Sequence, residues 1–152
     1  MADSSRNSIL TDAIMRENSA NAFYLQLAGR VSNSAVRETF LRLAADELGH
    51  KELLEKMLAD AAAAQGISAP SVDYHIAESE DKPEVISAMP LKDAVAIAMK
   101  KEQEAVELYR AFANGSPSND IKAIFENLMN MELGHKQALE RVFVDIGYPE
   151  VF

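Results

Sequence analysis

One pentapeptide occurs twice in this chain, as Glu47-Leu48-Gly49-His50-Lys51 and as Glu132-Leu133-Gly134-His135-Lys136. In each copy a carboxylate stands three residues before an imidazole. On a helix that spacing turns both side chains to one face. The copies lie 85 residues apart, and the same offset carries Glu17 onto Glu102 and Tyr24 onto Tyr109. Each half therefore offers two carboxylates, one imidazole and one phenol. Carboxylate with imidazole is ligand chemistry for iron or manganese, and two matched sets point to a site for two metal ions.

Alone, either Glu-x-x-His would mean little, because helical surfaces are full of such pairs. The duplicate, with its matching upstream Glu and Tyr, is what gives the pattern weight. Electrostatics gives it more. A carboxylate in an apolar stripe must be protonated, paired or metal-bound, since burying a bare charge is very costly. No Lys or Arg shares those stripes: Lys51 and Lys136 follow the histidines by one residue and so are rotated about 100° away. Metal cations are the natural partners for four converging carboxylates.

Four long amphipathic segments would carry these residues. Apolar spacings of three and four place helices at about 8–32, 34–64, 90–114 and 117–146. Asn33 or Ser34 suits an N-cap, Pro90 suits a first helical turn, and Gly66 suits a stop. The expected stripes include Leu10, Ile14, Tyr24, Ala28 and Val31 in the first helix. In the second and fourth, Phe40, Leu43 and Leu54 repeat as Phe125, Leu128 and Leu139. Short joints make antiparallel hairpins of helices one and two and of helices three and four. The stretch of about 65–89, with Pro70 and Pro83, is too long for a simple joint. A helix of 30 residues is about 45 Å long, and two dozen extended residues at roughly 3.3 Å each can cross it. The expected fold class is all-α: one domain over 1–152, a four-helix bundle of two helical hairpins joined by a long crossover. The spacing from Glu17 to Glu47 is 30 residues, as is that from Glu102 to Glu132. Both sets then sit at one depth of the bundle.

Composition narrows the classes. A chain of 152 residues suits one domain with a sizeable core. It has no cysteine, which excludes disulfides, thiolate zinc and rubredoxin-type or iron–sulfur iron within it. A formal charge of −9 argues against general nucleic-acid binding. No stretch is long and apolar enough to span a bilayer, and the polar residues 1–7 lack the plan of a signal peptide. A cytoplasmic protein without membrane partners is expected. His75 falls in the crossover and reads as solvated. Lys100-Lys101-Glu102-Gln103-Glu104, apart from Glu102, reads as a solvated face. Met15, Met57, Met89, Met99, Met129 and Met131 read as gap-filling core.

The two Glu-x-x-His copies with Glu17, Glu102, Tyr24 and Tyr109 resemble the ferritin-like superfamily over nearly the whole chain. Within it the sequence is similar to the rubrerythrin group, in the erythrin domain without its rubredoxin domain. The resemblance implies a ferritin-like bundle with two iron ions. Glu17 and His50 would belong with one iron, Glu102 and His135 with the other, and Glu47 and Glu132 would bridge them. Tyr24 and Tyr109, seven residues after Glu17 and Glu102, would hydrogen-bond to ligand carboxylates; plain core aromatics are the alternative. One departure stands out. Rubrerythrins carry another Glu three residues after the first on the third helix, and here that residue is Ala105. Glu104 and Glu107 point elsewhere around the helix, so the six remaining ligands look more like the ferroxidase centre of bacterioferritins.

By that resemblance the leading expectation is a non-haem di-iron oxidoreductase that reduces O2 or hydrogen peroxide as Fe(II) is oxidised. An external electron donor or further Fe(II) would be the reductant. Mn or mixed Mn/Fe occupancy suits the same ligands. A ferritin-like storage or iron-binding protein is the alternative, and a scaffold without redox chemistry is a third. Only residues 148–152 follow the fourth helix, so a homodimer is expected rather than a cage.

Overall fold

Residues 2–60, 88–116 and 118–147 are described by a computed structural model, with side chains of the first helix from Ile9 onward. They form four helices and, among the described residues, no strand. These are α1 (Ala2–Arg30), α2 (Ser34–Ala59), α3 (Leu91–Gly115) and α4 (Asn119–Gly147). The chain is a four-helix bundle in which α1 packs mainly on α2 and α3 on α4.

Local chemistry sets the helix ends. Asn33 holds extended backbone (φ −67°, ψ 120°) and its Oδ1 accepts the Val36 amide at 3.1 Å. That satisfies one of the orphan donors of α2 and is worth about 1 kcal/mol. Pro90 precedes the first residue of α3, and its carbonyl accepts the amides of Asp93 and Ala94 at 3.0 and 3.1 Å. At the other end of α3 the hydroxyl of Ser116 donates to the Phe112 carbonyl at 2.7 Å. The largest difference from expectation is at the start of α1, which begins at Ala2 and not near Ser8. Residues 2–7 are polar, and apolar periodicity cannot register a helical turn that has no apolar face. In the other direction, α2 closes at Ala59 with Asp60 as its C-cap. The anticipated stop at Gly66, most of the crossover and His75 lie outside the described residues.

Two apolar layers fill the bundle. One joins Leu10 and Ala13 of α1, Leu54 and Met57 of α2, Leu108, Tyr109 and Phe112 of α3, and Phe125 and Leu128 of α4. Its ring contacts are close: the centroids of Phe112 and Phe125 lie 5.0 Å apart. The other layer joins Tyr24 and Leu27, Phe40 and Leu43, Val95 and Ala98, and Leu139 and Val142. Residue order along the layers fixes the directions. Helices α1 and α4 run from the first layer to the second, and α2 and α3 run back. Consequently α2 ends and α3 begins at opposite ends of the bundle, which is the topology that calls for a crossover.

Candidate metal centre

Between the two apolar layers lies a polar one. Glu17, Glu47, His50, Glu102, Glu132 and His135 are all buried, and they are the buried polar side chains of the described core. One residue comes from α1 and one from α3, and an i, i+3 pair comes from each of α2 and α4. The helical period aims each pair inward, and the equal spacing of the two hairpins brings all six to one level.

Ligand atoms of Glu17, Glu47, His50 and Glu132 lie within 4.8 Å of one another, as do those of Glu47, Glu102, Glu132 and His135. The two groups share Glu47 and Glu132. The imidazole rings are near-parallel, with an interplanar angle of 16° and centroids 5.9 Å apart. Each turns Nδ1 toward the carboxylates. His50 Nδ1 is 2.8 Å from Glu132 Oε1, and His135 Nδ1 is 3.0 Å from Glu47 Oε1. These approaches bring opposite charges together but miss hydrogen-bond alignment. Six buried atoms here have no hydrogen-bond partner: Glu17 Oε2, Glu47 Oε1, Glu102 Oε2, Glu132 Oε1 and both histidine Nδ1 atoms. Buried polar atoms are nearly always satisfied. Six exceptions converging on one volume could be satisfied by cations, and oxygen with imidazole nitrogen is the donor set that iron or manganese takes.

The two tyrosines cross the bundle. Tyr24 of α1 donates its hydroxyl to Glu102 of α3, and Tyr109 of α3 donates to Glu17 of α1. A tyrosine seven residues from its own glutamate sits about 10 Å along the helix. It therefore reaches the glutamate of the antiparallel neighbour. Each bond leaves the other carboxylate oxygen, Oε2, turned into the cluster.

Protonation reflects this crowding in the metal-free protein. Burial, reinforced by the charges of the other glutamates, pushes the Glu47 and Glu132 carboxyls well above the carboxylate range. Burial also opposes the charged forms of Glu102 and both histidines, but their contacts prevail. Glu102 is lowered by His135, Glu132 and Tyr24. His50 is raised from 6.5 to about 9 by Glu132 and Glu17, and His135 is raised by Glu102 and Asp46. Glu47, Glu132 and both imidazoles are thus made to hold their protons more tightly than free side chains do.

Several neighbours differ from the sequence expectation. Asp46 Oδ2 lies 3.0 Å from His135 Nε2, and Met131 Sδ lies 3.3 Å from His50 Nε2. Met131, half-buried, is thus a neighbour of the cluster and belongs to neither apolar layer. Sequence reading missed both contacts, although the 85-residue offset relates Asp46 to Met131. Met15 is 52% exposed and outside the core, because the partner helices lie on the opposite side of α1. Glu104 is not on a solvated face either. Its carboxylate lies 3.7 Å from Arg16 Nη1, and Arg16 also donates to the Lys101 carbonyl. Lys51 and Lys136 do turn away from the cluster, donating to Asn18 at 3.2 Å and Gln103 at 2.9 Å. Ala105 is buried in the apolar layer beside the cluster and brings no seventh ligand.

Known structures share this fold. A Thermotoga maritima protein described as a "putative ferritin-like diiron-carboxylate protein" superposes with a TM-score of 0.80 at 25% identity, covering 92% of this chain and 95% of that one. A hypothetical protein of Pyrococcus furiosus superposes with a TM-score of 0.72 at 26% identity, covering 95% of this chain and 92% of its own. Comparison with curated proteins gives no match. The family model described as Rubrerythrin matches residues 8–143. A match that spans all four helices and contains the whole four-carboxylate, two-imidazole cluster places this chain in the rubrerythrin family.

Proposed function

We propose that the cluster is a di-iron centre and that the protein is a non-haem oxidoreductase, reducing O2 or hydrogen peroxide as Fe(II) becomes Fe(III). The observation that carries this reading is the set of six buried, unpartnered donor atoms in two groups that share Glu47 and Glu132. Glu17 and His50 would hold one ion, Glu102 and His135 the other, and the shared glutamates both. When bound, two ferrous ions would supply two electrons, enough to convert one hydrogen peroxide and two protons to two waters. The chain's own part is to keep the donors fixed and dry. Tyr24 and Tyr109 lock the outer carboxylates, and the apolar layers exclude water from both ends of the cluster. Ala105, in place of a seventh carboxylate, supports a ferroxidase-type set of ligands. With no cysteine in the chain, electrons would come from an external donor or from further Fe(II). Manganese suits the same donors.

The same reading includes a homodimer, formed through the outer face of α1 and α2. The Lys51–Asn18 hydrogen bond sets two exposed stripes side by side: Met15 and Leu25 on α1, Leu41 and Leu48 on α2. On the other hairpin the equivalent residues are Lys100, Arg110, Glu126 and Leu133. One hairpin therefore presents four apolar side chains where its relative presents one, Leu133, and such a patch suits its own copy across a twofold axis.

Anaerobic Fe(II) titration should saturate at two ions per chain, and stopped-flow mixing with O2 and with peroxide should then choose the oxidant. Unchanged stoichiometry in Glu47→Ala and Glu132→Ala would overturn the metal reading. Light scattering should give a dimer that Leu41→Glu with Leu48→Glu converts to monomer. A large shell that retains many irons per chain would instead establish storage.

A further inference from the structure

The two hairpins differ at one pair of residues that touch the cluster from outside. Each histidine points Nδ1 at the carboxylates and Nε2 at the opposite hairpin. His135 of α4 meets Asp46 of α2, with Nε2 and Oδ2 3.0 Å apart. His50 of α2 meets Met131 of α4, with Nε2 and Sδ 3.3 Å apart. Since the 85-residue offset relates Asp46 to Met131, the contacts are equivalent by position and opposite in chemistry. A carboxylate is a strong, charged acceptor for an imidazole N–H, whereas a thioether sulfur is a weak one.

That difference acts through the ring on Nδ1. With Nε2–H donated to Asp46, His135 is held in the tautomer that leaves the Nδ1 lone pair free, and its ring is fixed in orientation. A carboxylate behind a ligating histidine also makes the imidazole a better donor to a cation. Met131 gives His50 neither advantage to the same degree. We infer that Asp46 is a positioning residue that makes the two metal positions unequal. The position of Glu102 and His135 binds a divalent cation more tightly and fills before that of Glu17 and His50. This inference rests on the di-metal reading above. Removing such partners typically costs 10- to 100-fold in metal affinity, roughly. The Asp46 side chain is 34% exposed, so the effect belongs near the lower end, about tenfold.

Co(II) is a suitable probe because it avoids oxidation by air, and calorimetry with visible absorption can follow its binding. Wild-type protein should take up two Co(II) per chain in steps about tenfold or more apart. Asp46→Met should weaken the first step about tenfold and bring the two together, still at two ions. Asp46→Asn, whose amide oxygen can still accept the Nε2–H, should restore much of the separation. Met131→Asp should tighten the second step instead. In the exchanged variant, Asp46→Met with Met131→Asp, adding His50→Ala should abolish the tight step, whereas in wild type His135→Ala should do so. Two Co(II) bound with both affinities unmoved by Asp46→Met would overturn the inference. Fewer than two Co(II) in wild type would overturn the di-metal reading itself. A loss of folding would show in the helical circular dichroism, and Asp46→Asn, nearly isosteric, then carries the test through a first-step affinity between wild type and tenfold weaker.

Discussion

The hairpin α1–α2 and the hairpin α3–α4 are nearly one structure at the cluster and two structures away from it. Inward, the repeat is strict: Glu17 matches Glu102, Glu47 matches Glu132, His50 matches His135 and Tyr24 matches Tyr109. Outward, Met15, Leu25 and Leu41 give way to Lys100, Arg110 and Glu126. In the layer between, Asp46 gives way to Met131. A site for two ions would demand matching donors from both sides, which accounts for the strict inward repeat. On the proposals above, the outer faces would answer to different surroundings and the residues behind the donors would tune each ion separately. Agreement between the halves then belongs to the shared cluster, and difference to what each half would do alone.

The strongest test of this division compares shared with unshared ligands. Glu132 belongs to both donor groups and Glu17 to one. Glu132→Ala should therefore abolish tight binding of both ions, while Glu17→Ala should leave one ion bound, as metal analysis after gel filtration would show. Equal metal loss in both variants would break the distinction between shared and unshared positions.

Next in size is the pH dependence of the metal-free protein. His50 is raised from 6.5 to about 9 on folding. Its contribution is complete below 6.5 and is lost as pH rises through about 9. Glu47 and Glu132 are raised as well, so their contribution likewise falls with rising pH. Glu102 is lowered, and its contribution is lost only as pH falls through the acid range. Metal-free protein should then lose about 3 kcal/mol of stability between about pH 6.5 and 9, read as a falling Tm. Protein loaded with two divalent ions should be nearly flat over that window, because cations replace the protons. A flat profile without metal would mean that the two halves do not press their charges together as the geometry implies.

These tests rely on residues whose legibility in the sequence was uneven. The six clustered residues were legible because one helical period and one repeat determine where they point. Asn33 was legible as a cap because its side chain acts within three residues. Asp46 was not: it lies four residues before His50, which suggests a contact along α2, yet it reaches His135 on α4. That contact depends on how two helices are set against each other, which no period within one helix reveals. Arg16 and Glu104 were missed for the same reason. Met15 was misplaced because methionine favours the core, while the side of α1 that faces the bundle is decided by its partners. The start of α1 was hidden because polar residues form helix without leaving a stripe.

A subtler comparison concerns the tyrosines. Tyr24→Phe leaves a Glu102 oxygen without its donor, and Tyr109→Phe does the same to Glu17. Each should weaken one step of divalent binding by about tenfold, and each should act on the ion held by the opposite helix. Tyr24→Phe should thus affect the position of Glu102 and His135, and Tyr109→Phe that of Glu17 and His50. Stepwise Co(II) titration separates them. If both variants weakened the same step, the crossed pairing would not control the ions individually.

The smallest effect falls on the glycine inside the repeated pentapeptide. A Cβ at Gly49 or Gly134 would meet nothing within 4 Å, so packing within the chain does not require glycine at either position. In a helix interior, alanine is favoured over glycine by roughly 0.5–1 kcal/mol. Gly134→Ala, on the charged hairpin, should raise stability by about that amount in chemical denaturation. Gly49→Ala should gain as much within the monomer, but Gly49 borders the Leu48 stripe of the proposed dimer face. On that proposal an added methyl group there would meet the second copy, so the variant should dissociate at higher protein concentration than wild type. Equal gains from both substitutions, with dimer dissociation unchanged, would leave the repeated glycine without a role in contacts between chains and would move the dimer face away from Gly49.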